Sequence, residues 1–563
     1  MRKRRFPEFS CIGRDWFSPE LRASYFSTQQ EAYYFYIDLL LAMHKQQPAA
    51  GFDRQALEAS EARRARSLLE SLIAARGDIR QGVDPKLVEL EKILGQRINA
   101  KQQFRLRLLS GNHTDEQVAS VDKDMDSLLA EYQLTQDRIR KASKHYAALT
   151  QPGQLSTNEI QRLLGPNTVL LEYSLGEEHS YVWAVTSDSV NSYELPARTE
   201  IDKESKKLYG FLTARQPKHG ETQQQYLARV QHADAQYRNQ VEVLSRLLFG
   251  PVAGLSGTMR LLIVADGSLA YVPFAALTAP AGMDAQKPLI AAHEIVYLPS
   301  ASTLSVLRQE VAQRPSAPKP LAVFADPVFD KRDDRVSRRS TTPLNTNQQG
   351  GNAEVTQQAL RDAGLLEEGG PLARLPFSRQ EAEGIAALTP AGETLKALGF
   401  KANLATATSA ELSRYRMVHF ATHALVNPKR PYLSGLLLSL VDEQGKPQDG
   451  FLSLNQIYNL NLPADLVVLS ACQTATGKEV KGEGIIGLTR GFMCAGAPRV
   501  MASLWKVDDA ATAEMVKLFY RAMLKQKLQP AAALQAAQLE ISKHKLWSSP
   551  YYWAGFVLQG EPN

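Results

Sequence analysis

LVVLSACQTATGKEVKGEGIIGLTRGFMCAGAPRVMASLWKVDD, Leu466 to Asp509, is the stretch that decides the architecture. Leu466 to Leu469 are apolar on consecutive positions, the pattern of a strand covered on both faces of a parallel sheet. Regularity ends at Ser470, Ala471 and Cys472; Gln473 and Thr474 turn polar, and Gly477, Gly482 and Gly484 follow. Cys472 is thereby expected at the carboxyl end of a buried strand, the edge at which open α/β sheets place their ligands. Cys494 falls in GLTRGFMCAGAP, a helical pattern starting after Gly487 and ending at Gly496, and reads as a core residue because cysteine is among the most buried residue types. Gly482 and Gly484 lack the following Lys-Ser/Thr of a phosphate loop and read as flexibility beside a nucleophile.

A thiolate nucleophile needs a base. Met417, Val418, His419, Phe420, Ala421, Thr422 and His423 form a second buried-strand pattern, with His423 at its end, 49 residues before Cys472. Caspase-type enzymes carry their His about 50 residues before the Cys, whereas papain-like enzymes place the Cys first and the His roughly 130–150 residues later. His544, the one His after Cys472, is too near for the second order. Adjacent parallel strands ending in His423 and Cys472 would bring imidazole and thiol within reach, which lowers a thiol pKa from about 8.5 and supplies a general base. His419 and His423 stand four apart, but the segment reads as a strand without the Glu of a helical metal pair. His419 lies deeper and reads as structural.

The segments VHFATHA (Val418 to Ala424), SGLLL (Ser434 to Leu438), LVVLSACQT (Leu466 to Thr474), GEGIIGLTRGF (Gly482 to Phe492) and SLWKVDDAAT (Ser503 to Thr512) together resemble the CHAT-domain family, caspase-like cysteine peptidases often fused to helical repeats. LLEYSLGEEHSYVWAVT and DGSLAYVPFAAL resemble that family's amino-terminal half, so the likeness runs from about residue 155 to about 558. The resemblance implies an α/β caspase-like fold, a mostly parallel sheet flanked by helices, preceded by an all-α region with a long helical hairpin. It also implies a His423–Cys472 dyad, with backbone N–H groups of Cys472 and Ala424 as the oxyanion hole; a backbone carbonyl suffices to orient the His. One departure is Ala424, where the family usually carries Gly. In caspase-like folds the segment after the nucleophile's helix returns as a strand along the substrate cleft. Here Trp505 would offer an apolar wall, and Asp508 or Asp509 could pair with a basic P1 side chain. The alternative for Asp509 is that it caps a helix beginning at Ala510.

Composition sets the outer limits. A chain of 563 residues holds two to four domains at about 100–200 residues each, and 44% hydrophobic with 22% charged residues is ordinary for a globular protein. A net charge of +6 over this length does not argue for nucleic acid. Cys11, Cys472 and Cys494 are too few for a disulfide framework and give no metal-site spacing, so no metal or cofactor is expected and a reducing cytoplasm fits. The basic start, MRKRRFPEFSCIGRDW, lacks the apolar core of a secretory signal and reads as solvated, and no run reaches the 18 apolar residues of a membrane span.

Four regions are expected. Residues 1–80 read as a helical segment like one tetratricopeptide-type unit, either a terminal repeat or the remnant of a longer ancestor. Residues 84–150 read as a long helical hairpin: Asp84 and Pro85 open its first helix with Leu87, Leu90, Leu94 and Ile98 spaced by threes and fours, and Gly111 closes it. Thr114 and Gln117 form a capping box for the second helix, whose seam runs through Val118, Val121, Met125, Leu128, Tyr132, Ile139, Ala142 and Tyr146 with Thr135 as the polar interruption. Residues 153–312 form the amino-terminal α/β half, with a meander over Thr168 to Leu195, a helix over 221 to 249 and a strand over Met259 to Ala265, read as a structural subdomain packed beside the catalytic one. Residues 313–563 form the catalytic half. Within it a stretch of about 330–370, whose first part after Asp330 (KRDDRVSRRSTTPLNTNQQGGN) lacks apolar residues over most of its length, reads as a mobile loop, either an inconsequential insertion or a cleavage-prone activation loop. The functional expectation is a regulated cysteine endopeptidase acting on protein partners, with the helical region available to a regulatory protein. The alternative is a non-enzymatic scaffold with a degenerate site.

Overall fold

The computed structural model describes residues 19–64, 84–109, 114–142, 155–218, 220–252, 260–278, 287–336, 372, 374–425, 434–470, 478–480 and 484–563. Cys11, Gly111, Tyr146, Cys472 and most of the 330–370 stretch lie outside them.

Two helices, α1 (Pro19–Gln46) and α2 (Phe52–Arg63), pack together, and α3 (Pro85–Leu109) and α4 (Asp115–Ala142) form the hairpin. The hairpin's punctuation is that read from the sequence. Asp84 accepts from the Lys86 N–H at 2.9 Å, and Thr114 and Gln117 exchange backbone-to-side-chain bonds at 3.0 and 3.3 Å. Leu94 and Ile98 are buried with Val121, Met125 and Ile139, and Thr135 sits in the same seam with its hydroxyl donating to the Glu131 carbonyl. Ala142, at the end of the described helix, is exposed. Helix α3 also touches the short helix Leu454–Tyr458, far along the chain.

The strands are β1 (Thr168–Leu175), β2 (Ser180–Val185), β3 (Val190–Leu195), β4 (Arg260–Val264), β5 (Glu294–Tyr297), β6 (Lys319–Ala325), β7 (Thr394–Leu398), β8 (Tyr415–Ala421), β9 (Ala424–Leu425), β10 (Gly435–Leu437), β11 (Phe451–Ser453), β12 (Leu466–Leu469), β13 (Lys478–Val480), β14 (Gly484–Ile486), β15 (Arg499–Ser503) and β16 (Phe556–Gly560). Eleven of them make one sheet in the order β3-β2-β1-β4-β5-β16-β15-β12-β8-β6-β7. β1, β4, β5 and β16 run parallel, as do β15, β12, β8, β6 and β7, while β16 and β15 meet antiparallel. The meander β1–β2–β3 closes one edge.

The strands of the amino-terminal half and those of the other half share this one sheet: β16, from the far end of the sequence, pairs with β5 on one side and β15 on the other. The main apolar core runs from Ile37 in α1 to Leu558 in β16, and a second, small cluster gathers Leu425, Leu437 and Phe451 in the β9–β10–β11 sheet. Helices α5 (Arg198–Leu212), α6 (Gln223–Phe249), α7 (Ala301–Gln313), α8 (Pro376–Ala386), α9 (Leu488–Cys494), α10 (Asp509–Leu524) and α11 (Pro530–Ser542) make up the other longer helices.

The helical start is fastened to the sheet by buried charge. Arg63, at the end of α2, reaches Asp266 just after β4 at 3.1 Å, and Arg64 reaches Glu172 of β1 at 3.0 Å. Asp266 also accepts from the Tyr34 hydroxyl and the Leu175 N–H, and Glu61 accepts from the Ala301 and Ser302 N–H groups at the start of α7. Burial alone would raise the Asp266 carboxyl, but Arg63 and Arg64 outweigh it and hold it well below the usual carboxylate range. A depressed carboxyl contributes stability above its unfolded pKa and loses it as pH falls through the folded value. Asp266→Asn should therefore cost about 3–5 kcal/mol in urea denaturation at neutral pH, because the buried Arg63 guanidinium loses its paired carboxylate, and the difference from wild type should shrink in acid. A neutral-pH difference below about 1 kcal/mol would show that the guanidinium finds another partner.

Candidate active site

The candidate site is built on β8 and β12, which are immediate neighbours. Both are continuously buried, from Met417 to Ala421 and from Leu466 to Leu469, runs that are apolar except for His419. They pair in parallel with Leu466 opposite Met417 and Leu469 opposite Phe420, and the Ser470 N–H donates to the Phe420 carbonyl at 2.9 Å, carrying the ladder one step past β12.

His423 follows β8 after one intervening residue, Thr422. It is half-buried, its ring lies 5.3 Å from that of Phe329, and its carbonyl accepts from the Leu437 N–H at 2.9 Å. That bond makes 423 and 437 a hydrogen-bonded pair of the small β9–β10–β11 sheet. In antiparallel alternation 424 and 436 are then the non-bonded pair, so the Ala424 N–H is directed away from β10. Ala424 is not among the residues with positive φ, so the left-handed backbone that would favour glycine is not needed there. A glycine is needed at Gly435 of β10, where a Cβ would sit 2.4 Å from the Leu452 carbonyl oxygen and 2.5 Å from the Phe451 ring.

His419 has the structural setting expected of it. It is fully buried, with Nε2 2.8 Å from Glu381 Oε1 of α8 and Nδ1 3.4 Å from the Tyr520 hydroxyl of α10. Burial, and secondarily the charge of Glu381, pushes the Tyr520 phenol well up. The second oxygen of Glu381 accepts from the Ser470 hydroxyl at 3.2 Å. Cys494 is buried in α9, as its helical pattern implied.

The segment after β15 departs from expectation. Trp505 is fully buried, donates its indole N–H to the Tyr551 carbonyl at 3.0 Å and stacks edge-on with Tyr209, so it belongs to the core and presents no open apolar wall. Helix α10 starts one residue earlier than read, and its cap is Asp508, which accepts from the Ala511 N–H at 2.9 Å. Asp509 stands in the first turn and accepts from the Phe377 N–H at 3.3 Å.

Three features went unread in the sequence. Glu381 sits on α8 two residues from Glu383, and nothing in PFSRQEAEGIA distinguishes them. Phe329 looks like an isolated apolar residue before a polar run. Asp326, buried after β6 with φ 51°, draws together Arg335, Arg374 and Arg379 at 2.9, 2.8 and 2.7 Å. Arg335 belongs to the stretch read as a mobile loop, so the start of that stretch is anchored.

With this geometry in view, comparison with known proteins is informative. Residues 238–561, more than half of the chain, match the model of the CHAT domain, and the chain belongs to that family. It is 28% identical to tetratricopeptide repeat protein 28 of Homo sapiens over 335 residues, 54% of this chain and 12% of that protein. It is 39% identical to the Mus musculus protein of the same name over 109 residues, 19% of this chain and 4% of that one. The chain thus spans a small fraction of the length of these relatives. Among solved structures, a Saccharomyces cerevisiae separase–securin complex aligns with TM-score 0.45 at 10% identity, covering 86% of this chain and 42% of that one. A complex of Porphyromonas gingivalis RgpB pro- and mature domains aligns with TM-score 0.33 at 8% identity, covering 64% and 77%. No helix among the described residues is long and apolar enough to cross a membrane.

Burial pushes the Asp509 carboxyl up to about 6, with the charges of Glu381 and Asp508 adding to it and the Phe377 N–H opposing. A carboxyl raised in the folded state binds its proton more tightly there than in the unfolded chain, so it opposes stability as pH rises from about 4 to about 6. Asp509→Asn keeps an acceptor for Phe377 and should raise stability at pH 7 relative to wild type while flattening the pH dependence across that window. Urea titrations at pH 5 and pH 7 would measure it, and a variant equal to wild type at both would refute it.

Proposed function

We propose that this CHAT protein is a regulated cysteine endopeptidase that cleaves specific protein partners through His423 and Cys472. The observation carrying this reading is the strand register. β12 pairs with β8 at a constant offset of 49 residues, Leu466 with Met417 through Leu469 with Phe420, and 49 is also the separation of Cys472 and His423. Neighbouring strands lie about 5 Å apart, and residues opposite one another in a parallel pair direct their side chains to the same face. An extension of this register therefore supports imidazole and thiol within reach of each other.

The chemistry follows from the two groups. His423 takes the thiol proton, and the Cys472 sulfur attacks the peptide carbonyl carbon. Collapse of the tetrahedral adduct breaks the C–N bond as His423 gives its proton to the leaving amine, leaving a thioester. Water then attacks the thioester, surrendering a proton to His423, and the sulfur leaves as thiolate. The oxyanion would accept from the N–H groups of Ala424 and Cys472, a role supported by the direction of the Ala424 N–H away from β10.

The organisation proposed is a helical segment over 1–80, a hairpin over 84–150, an amino-terminal α/β half over 153–312 and a catalytic half over 313–563. The contact of α3 with the helix Leu454–Tyr458 supports a regulatory role for the hairpin, with a partner protein bound there acting on the catalytic half. A basic P1 side chain facing Asp508 or Asp509 is the accompanying specificity proposal. Each already accepts one backbone N–H, Asp508 from Ala511 and Asp509 from Phe377, so the two stand equal as candidates.

Cleavage of a co-expressed natural partner, identified by comparing cleaved peptides from wild-type and variant cells, tests the reading. Cys472→Ala and His423→Ala should each abolish the product, while Ala424→Gly, at a position without left-handed backbone, should leave the rate equal to wild type or slightly above it. Equal product from wild type and Cys472→Ala would leave a non-enzymatic scaffold as the better reading.

A further inference from the structure

We propose that Glu381 is a positioning residue for the catalytic pair, a role that rests on the peptidase reading above. One carboxylate, projecting from α8 and 2% exposed, bridges the two neighbouring strands that lead to His423 and Cys472. Its Oε1 lies 2.8 Å from His419 Nε2 on β8, and its Oε2 accepts from the Ser470 hydroxyl, one residue past β12, at 3.2 Å. His419 Nε2 and Glu381 Oε1 meet at ion-pair distance in a fully buried place, without the geometry of a hydrogen bond and with no other hydrogen-bond partner among the described residues.

The location gives the contact its consequence. His419 stands four residues before His423, and Ser470 two residues before Cys472. Residues 419 and 468 are paired in the ladder and Leu469 with Phe420 makes the last described pair of β12 with β8, so the carboxyl group braces the end of that pairing from one side. A main-chain ladder fixes the strands along their length but does not by itself hold their ends. The Ser470 hydroxyl, held from the side by the buried Glu381 carboxyl, holds the described end of the nucleophile's strand. His419 is in turn oriented by two groups, Glu381 from α8 and Tyr520 from α10, so both helices are referenced to the same two strands. The Ser470–Glu381 hydrogen bond and the His419–Glu381 contact are both buried, so the loss of either is not made good by water.

The test uses the full chain and the thiol itself, so that no substrate need be known. Iodoacetamide alkylation followed by peptide mass spectrometry reads Cys472 and the buried Cys494 separately in one sample, at a temperature where each variant keeps the wild-type circular dichroism. Glu381→Ala and Ser470→Ala should each slow alkylation of Cys472 by about tenfold or more, since a displacement near 1 Å costs a reacting pair that much or more, with Cys494 as slow as in wild type. Glu381→Gln retains an acceptor for Ser470 and a polar partner for His419, and should restore most of the rate. General loosening has the opposite signature, because it exposes Cys494 and speeds its reaction. The proposal is overturned if both alanine variants alkylate Cys472 at the wild-type rate, or slow it only when Cys494 becomes fast. Should Glu381→Ala fail to fold, Ser470→Ala decides alone, since it leaves the Glu381–His419 contact in place. The underlying reading fails separately: if wild-type Cys472 reacts no faster than Cys472 in His423→Ala, there is no activated thiol, and the positioning role falls with it.

Discussion

Strand β16 forms hydrogen bonds to β5 on one side and β15 on the other, and among the described residues no other strand connects the two parallel blocks of the sheet. Because β16 is parallel to β5 and antiparallel to β15, the blocks point in opposite directions. Their carboxyl edges, where α/β sheets gather polar groups, therefore face opposite ends of the molecule. Asp266 and Glu172 lie toward one end, and His423, Ser470 and Asp326 toward the other. The eleven-stranded sheet and the main apolar core make these ends parts of one body.

At each end a buried acid is met by side chains from elements distant in sequence. Glu172 and Asp266 receive the α2 arginines, whereas Glu381 receives His419 and Ser470. These contacts weigh differently. Full guanidinium charges without water must be matched by carboxylates, so the first cluster fixes where the helical region sits. A neutral or protonated imidazole and a hydroxyl impose less, and the second cluster instead braces a strand end.

The sequence disclosed what local chemistry determines. Four consecutive apolar residues mark β12, MVHFA marks most of β8, and the caps at Asp84 and Thr114 bound the hairpin because each is satisfied within a few residues. The cap of α10 was misplaced by one position because adjacent aspartates offer the same chemistry. What stayed hidden depends on partners far along the chain. FVLQG does not say that its neighbours are β5 and β15, EARRARS does not say that Arg63 and Arg64 leave solvent, and Trp505 in SLWKVDD looks the same whether it lines a surface or fills a core.

Strand β16 follows every other strand of the sheet in sequence, which matters while the chain is being made. Until residues 556–560 leave the ribosome, β5 and β15 each present an unpaired edge, and the core between them stands open. At about 5–20 residues per second, synthesis of the segment from β5 to β16 occupies tens of seconds, a long exposure for apolar strand edges. Nascent chains of this protein thus have reason to depend on a chaperone holding those edges apart, and a stalled or prematurely ended chain has reason to aggregate rather than fold in part.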